Sequence, residues 1–535
     1  MLTDGIQMIE PGGLPPADDA VMSLGGKAFN LIKLSSMGLQ VPQGFVLPTS
    51  MCLRWAAEGP PDKASFKSMI AGPLDRLESI CGLGFGDPRK PLLLSVRSGA
   101  PVSMPGMLDT VLDVGLTRAT LPGLVALTGN PRLAWDSYLR LIQSYSETVR
   151  GLSSTPFEEA AAKAMADADA VDLSELATLD LRRLLVVYLD IFKEMAETPF
   201  PDDPYDQLRD AVDAVFRSWN SERAISYRRI NRLEGLPGTA VTLQRMVYGN
   251  AGPRSGAGVG FTRDPATGEK RLYLDFAFDA QGEDVVSGRR RLTPASQLQR
   301  LMPDVSRSLD YVAGQLEQNF RDAQDFEFTV EEGQLFLLQT RDAKRSAWAR
   351  LKIAVDLVNE GLINAAEGLR RLDGLDLAKL ARRRIKADSA ELLAKGVPAG
   401  IGVATGAIAL SINTAHALAA QGKRIILVRS EIETHDIDGI ALSEGVLTVH
   451  GGRTSHAAVV ARELGKVAVV GCDELKICSD EACMIGNRRL ENGAIISLDG
   501  ESGEIYAGSV AVSEERPLRE LAVVKNWRAN GSMPT

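Results

Sequence analysis

The spacing of apolar positions changes character several times along this chain, and each change predicts a different element. Residues 446–449, VLTV, form an apolar run suited to a buried strand, and the Ala/Val/Arg/Glu stretch from residue 457 favours helix. His450, Gly451 and Gly452 lie between them, so the order reads strand, tight glycine turn, helix. Residues 92–96, LLLSV, read as another buried strand, and Arg97 follows at its end. Residues 117–235 are mostly helical in spacing, as at 132–150 and 181–197, with PFPDDPY at 199–205 separating two helices. A β-rich block follows, with strands at 240–248, 259–263 and 272–278 and a hairpin of 325–330 with 334–341. Residues 249–258, GNAGPRSGAG, read as a flexible glycine-rich loop. Helical spacing returns over 343–387, where ARRRIKA (381–387) reads as the solvated face of a short helix. Strands and helices then alternate over 396–508, closing in a hairpin that begins at Ala494.

A chain of 535 residues is too long for one domain and implies roughly three or four. Apolar content of 45% and charged content of 24% are ordinary for globular protein. The net charge of −9 and the lack of a dense Lys/Arg run argue against a nucleic-acid partner. The opening MLTDGIQMIEPGG has neither the basic region nor the apolar core of a signal peptide. No run approaches the ~20 apolar residues of a membrane span, so a cytoplasmic address without membrane partners is expected. Five cysteines do not make a disulfide framework. Cys472, Cys478 and Cys483 cluster, but without metal-site spacing, so they read as packed or solvent-facing thiols.

The pattern places His456 in the first turn of its helix, with Thr454 or Ser455 as N-cap. A helix N-terminus suits an anion such as phosphate. It also lowers the proton affinity of a histidine, keeping a ring nitrogen free to attack phosphorus. A merely capping or packed histidine would fit the same place. Gly25-Gly26-Lys27 can bring backbone and ammonium to a phosphate, or can be a plain loop, and it lacks P-loop spacing. Arg97 precedes an irregular loop and could fork onto phosphate oxygens, or pair a structural carboxylate. Asp325 and Glu327 are two apart on one strand and share a face, as do Gln339 and Arg341 on its partner. Such a group can seat Mg²⁺ and a triphosphate, and an ion-pair ladder would use the same residues.

The segment GG-x-TSHAAVVAR resembles the phosphohistidine signature of the phosphoenolpyruvate-utilising enzymes, above all the pyruvate phosphate dikinases. GGKAFNL, SVRSGAPVSMPGMLDTVLD, RMVYGN, SGAGVGFTRDPATGEK, AQGEDVVSG and QDFEFTVEEGQLFLLQTR are similar to that family's ATP-grasp domain. The resemblance implies a multi-domain α/β (α+β) protein. Its ATP-grasp domain would comprise 1–116 and 236–342 around a helical insert at 117–235. A helical linker at 343–392, a swivelling β/α phosphohistidine domain at 393–510 and a tail at 511–535 would follow. Carried onto matching positions, it implies ATP phosphates at Lys27 and Arg97, and an adenine pocket lined around Gln244 and Met246. Glu283, Asp325, Glu327, Gln339 and Arg341 would serve nucleotide, Mg²⁺ and phosphoryl groups, with Asp325 and Glu327 as metal ligands. His456, Arg97 and Arg341 would be the catalytic set.

The implied reaction is ATP + Pi + His456 → phospho-His456 + AMP + PPi. The AQGEDVV block favours the phosphate-using dikinases over the synthases that use water. Three positions depart from the family pattern: Ala257 where Thr is usual, Asp275 for Glu, and Arg453 for Met. A cation at Arg453 is expected to stabilise phosphohistidine. Thr454 matches the position modified by the family's regulatory kinase, which is therefore an implied partner. Residues 509–535 cannot build the family's (β/α)₈ barrel of ~250 residues, so the phosphoryl acceptor is expected on a separate pyruvate/phosphoenolpyruvate-binding chain. Two alternatives stay open. One is transfer to another small molecule or protein, as in rifampin phosphotransferase, although no drug-binding insert separates Arg341 from Val397. The other is a regulatory nucleotide-binding protein whose phosphohistidine is a signal.

Overall fold

Three of the helices in the region expected to be helical, 117–235, start behind a capping side chain. Pro131–Thr148 begins behind Asn130, whose side chain accepts from the Leu133 N–H. Pro204–Ser218 begins behind Asp203, which accepts from Tyr205 and Asp206, and Glu222–Ile230 behind Ser221. Their apolar stripes meet in a core where Phe200 packs edge-on against Tyr138, Tyr145 and Phe192 at 5.1–6.1 Å. This computed structural model describes residues 5–530, apart from 103, 105, 106, 287–291, 294, 387–390, 433–435 and 454.

The chain forms two compact units, Met1–Gly252 with Leu335–Thr340, and Pro253–Gln334 with Arg341–Thr535. The first carries the helices above and a five-stranded sheet. Its strand order is Gln7–Ile9, Gly44–Leu47, Ala240–Arg245, Leu94–Gly99, Thr110–Val114, with every pairing antiparallel.

A four-stranded sheet, in the second unit except for Leu335–Thr340, runs Tyr273–Phe278, Gly256–Phe261, Gln324–Glu331, Gln334–Asp342. The expected hairpin turn is present, with Glu332 and Gly333 both at positive φ, 47° and 82°, as a two-residue β-hairpin requires. The glycine-rich run 249–258 is not loop to its end, because the strand already begins at Gly256. A Cβ on Gly256, Gly258 or Gly260 would lie 2.2, 2.5 or 2.4 Å from the rings of Phe276, Phe328 and Phe326. Alternate glycines therefore make room for phenylalanines of the two flanking strands, and the composition that read as flexibility is packing.

The linker carries helices Ala347–Asn359 and Ala365–Arg370 as expected, but residues 381–386 of the ARRRIKA run are not helical, and Ala387 lies outside the described residues. Arg382–Ile385 is a strand paired antiparallel with Val512–Glu515. Cross-strand charge pairing explains the difference: Arg382 bonds Glu501 and Glu515 and stacks 4.3 Å over Trp348, and Arg384 pairs the same two acids. The segment read as a tail supplies that partner strand. It then forms helix Leu518–Asn530, whose Val524 and Trp527 pack with Leu351 and Val355 of the linker.

The remaining domain is an eight-stranded sheet. Its central strands Val403–Ala409, Ile425–Arg429, Gly445–Thr448 and Val467–Val470 are parallel, as continuous apolar runs covered on both faces should be. Ile426 and Val428 face one core and Ile425 and Leu427 the other. Cys472 and Cys483 are buried beside a small three-stranded sheet, and Cys478 is exposed. Among the described residues no helix is long and apolar enough to cross a membrane.

Candidate functional site

In the first unit the Gly-Gly-Lys turn is built by close backbone approach. Gly25, at φ 72° and ψ 154°, breaks the helix Val21–Ser36, and a Cβ there would sit 1.9 Å from the Gly99 carbonyl oxygen. Gly26 N–H donates to the Ala100 carbonyl at 2.9 Å. Lys27 is thereby set beside the end of Leu94–Gly99, the strand that bears Arg97. Arg97 donates to the Leu338 carbonyl at 3.4 Å, and Asn30 to the Thr340 carbonyl at 2.7 Å. Gln339 lies between those two residues, so Lys27, Arg97 and Gln339 share one neighbourhood. Gln244 is 1% exposed and donates to the Pro42 carbonyl at 2.9 Å, which makes its amide a strut of the sheet. Met246, just past the strand, is buried and its N–H bonds the Leu93 carbonyl at 2.9 Å.

In the second unit, register puts the acidic residues on one face. Phe261 stands between Tyr273 and Asp325, Val259 between Asp275 and Glu327, Ala257 between Ala277 and Thr329. Arg341 reaches that face from the neighbouring strand, with Nε and Nη2 both 2.9 Å from Asp325 Oδ2. Burial pushes the Asp325 carboxyl above the usual carboxylate range, against the pull of Arg341. Ala257 is buried among Ala277, Ala280 and Val285, so the methyl that replaces a family hydroxyl completes a small apolar cluster. Glu283 is exposed on the short helix Gly282–Val286.

Among the described residues no group of three or more His, Cys, Asp or Glu side chains could hold a metal ion. Asp325 and Glu327 nevertheless offer hard oxygen donors side by side. One or two carboxylates are what Mg²⁺ takes from a protein when phosphates and water complete its shell, so the donor set fits that ion.

His456 is the first residue of the helix His456–Glu463, and Ser455 is its N-cap, accepting from the Ala458 N–H. Thr454 lies outside the described residues. The preceding turn carries Gly451 at φ 112° and an exposed His450, whose carbonyl accepts from the Thr448 hydroxyl at 2.6 Å. This turn meets the acidic face of the four-stranded sheet. A Cβ on Gly452 would lie 2.9 Å from Asp275 Oδ2. The Arg453 guanidinium sits 4.1 Å over the Tyr273 ring, and its Nε donates to the Pro398 carbonyl at 3.1 Å. Arg462, 4% exposed, lies 5.6 Å over Phe261 and donates to the Arg453 carbonyl at 2.6 Å. Burial lowers the pKa of Arg462, while Tyr273, Asp264, Asp325 and Asp275 oppose that shift.

Tyr273 and Arg462 escaped the reading of the sequence, although both left a signal. Tyr273 is two residues before Asp275 on a strand. Arg462 follows Ala458 by four and so shares its buried helical face.

Comparison with known proteins places these features. Residues 63–298 match the family described as pyruvate phosphate dikinase, AMP/ATP-binding domain. Residues 421–503 match PEP-utilising enzyme, mobile domain. The chain is 44% identical over 510 residues to the pyruvate, phosphate dikinase of Clostridium symbiosum, covering 94% of this chain and 58% of that protein. It is 42% identical to the chloroplastic enzyme of Mesembryanthemum crystallinum, covering 94% of this chain and 53% of that one. For the Rhizobium meliloti enzyme the identity is 39%, over 94% of this chain and 58% of the relative. The chain thus spans a little over half the length of these relatives.

Proposed function

The chain belongs to the pyruvate phosphate dikinase family, and from that premise we propose that it carries the nucleotide half of a dikinase reaction. An imidazole nitrogen of His456 attacks with its lone pair, and the β-phosphoryl group of ATP ends bonded to it. AMP leaves, and inorganic phosphate removes the γ-phosphoryl group as pyrophosphate. The observation that carries this reading is the seating of the capped histidine helix over the acidic face of the sheet, through Gly452 on Asp275 and Arg453 on Tyr273. A helix N-terminus whose leading turn packs on the face that bears Asp275 and Asp325 matches what phosphoryl transfer needs: positioning and charge.

Lys27 and Arg97 bind phosphate oxygens as point charge and fork respectively. Arg341 orients the Asp325 carboxylate through Nε and Nη2. When bound at Asp325 and Glu327, Mg²⁺ supplies neutralisation of phosphate charge. The phosphoryl group then passes to pyruvate at a site on another polypeptide segment. A phosphate on Thr454, two residues from the nucleophile, would add about −1.5 to −2 charges there and oppose the chemistry.

ATP labelled on the β-phosphate, given with Mg²⁺ and phosphate, tests the reaction. Acid-labile label is expected on the wild type and absent from His456→Ala. A wild type that takes no label, with or without phosphate, overturns the reading in favour of nucleotide binding without transfer.

A further inference from the structure

The Pro398 carbonyl oxygen is a meeting point. It accepts from Arg453 Nε at 3.1 Å and from the Tyr273 hydroxyl at 3.4 Å, while the Arg453 guanidinium lies 4.1 Å over the Tyr273 ring. Three segments are tied there: the sheet that bears Asp275 and Asp325, the strand Val397–Pro398, and the turn that leads to His456. Arg462 holds the arrangement from below, with Nη2 on the Arg453 carbonyl at 2.6 Å and Nε on the Ala399 carbonyl at 3.5 Å. Gly452 has no side chain to keep the turn away from Asp275. A guanidinium beside a histidine nucleophile invites the reading of a phosphate ligand, but this one is occupied by a ring face and a carbonyl.

We propose that Arg453 is a positioning residue, a latch that docks the histidine-bearing domain on the nucleotide-side sheet through the Tyr273 ring and the Pro398 carbonyl. The inference deepens the proposed function and rests on it for its catalytic consequence. A domain that must load at one place and deliver at another needs a dock that holds and lets go. A cation–π contact suits that task, being directional yet weak enough to break in each cycle. The latch governs the fraction of time His456 spends within reach of the nucleotide, so it acts on the loading rate and leaves ATP affinity alone.

Rapid-quench single turnovers with β-labelled ATP read this out in the full chain. Arg453→Met and Tyr273→Leu are each expected to slow phospho-His456 formation about tenfold (about 1.4 kcal/mol) with the KM for ATP unchanged. Tyr273→Phe keeps the ring and is expected to restore most of the rate. The double variant Arg453→Met/Tyr273→Leu should be no slower than the worse single one, as for two halves of one contact. Equal loss in Tyr273→Phe and Tyr273→Leu would overturn the latch. So would normal loading in Arg453→Met with faster hydrolysis of phosphohistidine, the signature of a phosphate ligand. Amide hydrogen exchange over 399–400 and 450–453 without nucleotide supplies the second arm. Faster exchange in Arg453→Met supports the latch even if the wild type takes no label, in which case only the proposed reaction fails. Unchanged exchange rejects the latch whatever the labelling shows.

Discussion

The two faces of the Tyr273–Phe278, Gly256–Phe261, Gln324–Glu331 sheet are built from the same strands on opposite principles. One face alternates glycines with phenylalanine rings, Gly256 under Phe276, Gly258 under Phe328, Gly260 under Phe326. The other carries Tyr273, Asp275, Asp325 and Glu327 in register. The first is tightly filled and apolar. The second sets a buried carboxylate against Arg341, an arrangement that is costly to desolvate and seldom the most stable choice. One face holds the strands in place, and the other gives up stability to hold charge in a buried setting.

Breaking each face separately sharpens that contrast. Asp325→Ala removes the buried carboxylate that Arg341 bonds and is expected to cost about 3–5 kcal/mol in denaturant unfolding, with loss of histidine labelling. A cost under about 1 kcal/mol would make the pair a surface feature. Gly258→Ala drives a methyl group to within 2.5 Å of the Phe328 ring and 2.7 Å of the Asp275 carbonyl. About 1–3 kcal/mol of stability should go, while the folded fraction keeps its rate of histidine labelling. If labelling per folded molecule falls as far as in Asp325→Ala, the two faces are not separable.

The smallest effect is in pH dependence. Asp325 titrates above an ordinary carboxylate in the folded chain. Its contribution to stability is therefore complete below about pH 4, its unfolded value, and is lost as pH rises through the folded one. Glu367, held by Arg370 and Arg371, is lowered to about 2 and has the opposite sign. Its contribution is present above about pH 4.3 and lost as pH falls toward 2. Glu367→Gln should cost about 0.5 kcal/mol at neutral pH, because its partners lie near the surface, and nothing near pH 2. A cost that persists at pH 2 would show that packing, not charge, is lost.

Much of the site could be read locally. A strand, two glycines and a capping serine are enough to put His456 at the head of a helix, and a two-residue spacing is enough to put Asp325 and Glu327 on one face. Two readings failed for a shared reason. SGAG looked like a flexible loop and ARRRIKA like a solvated helix, because each was judged without the strands that flank it. Phe276 and Phe328 explain the glycines, and Glu501 and Glu515 explain the arginines, yet none of these partners is a near neighbour in sequence.

By itself the sequence determined the periodicities, the caps and the place of His456 at the head of its helix, since these depend on residues within a few positions of one another. Tertiary structure alone decided what those elements face. It placed the Arg453 guanidinium over Tyr273, 180 residues earlier in the numbering, with its Nε on the Pro398 carbonyl. It committed Gln244 to Pro42 and Asp325 to Arg341. The reason is physical: a charged or polar side chain takes whichever partner the folded chain brings within about 3 Å, and folding, not sequence distance, chooses that partner.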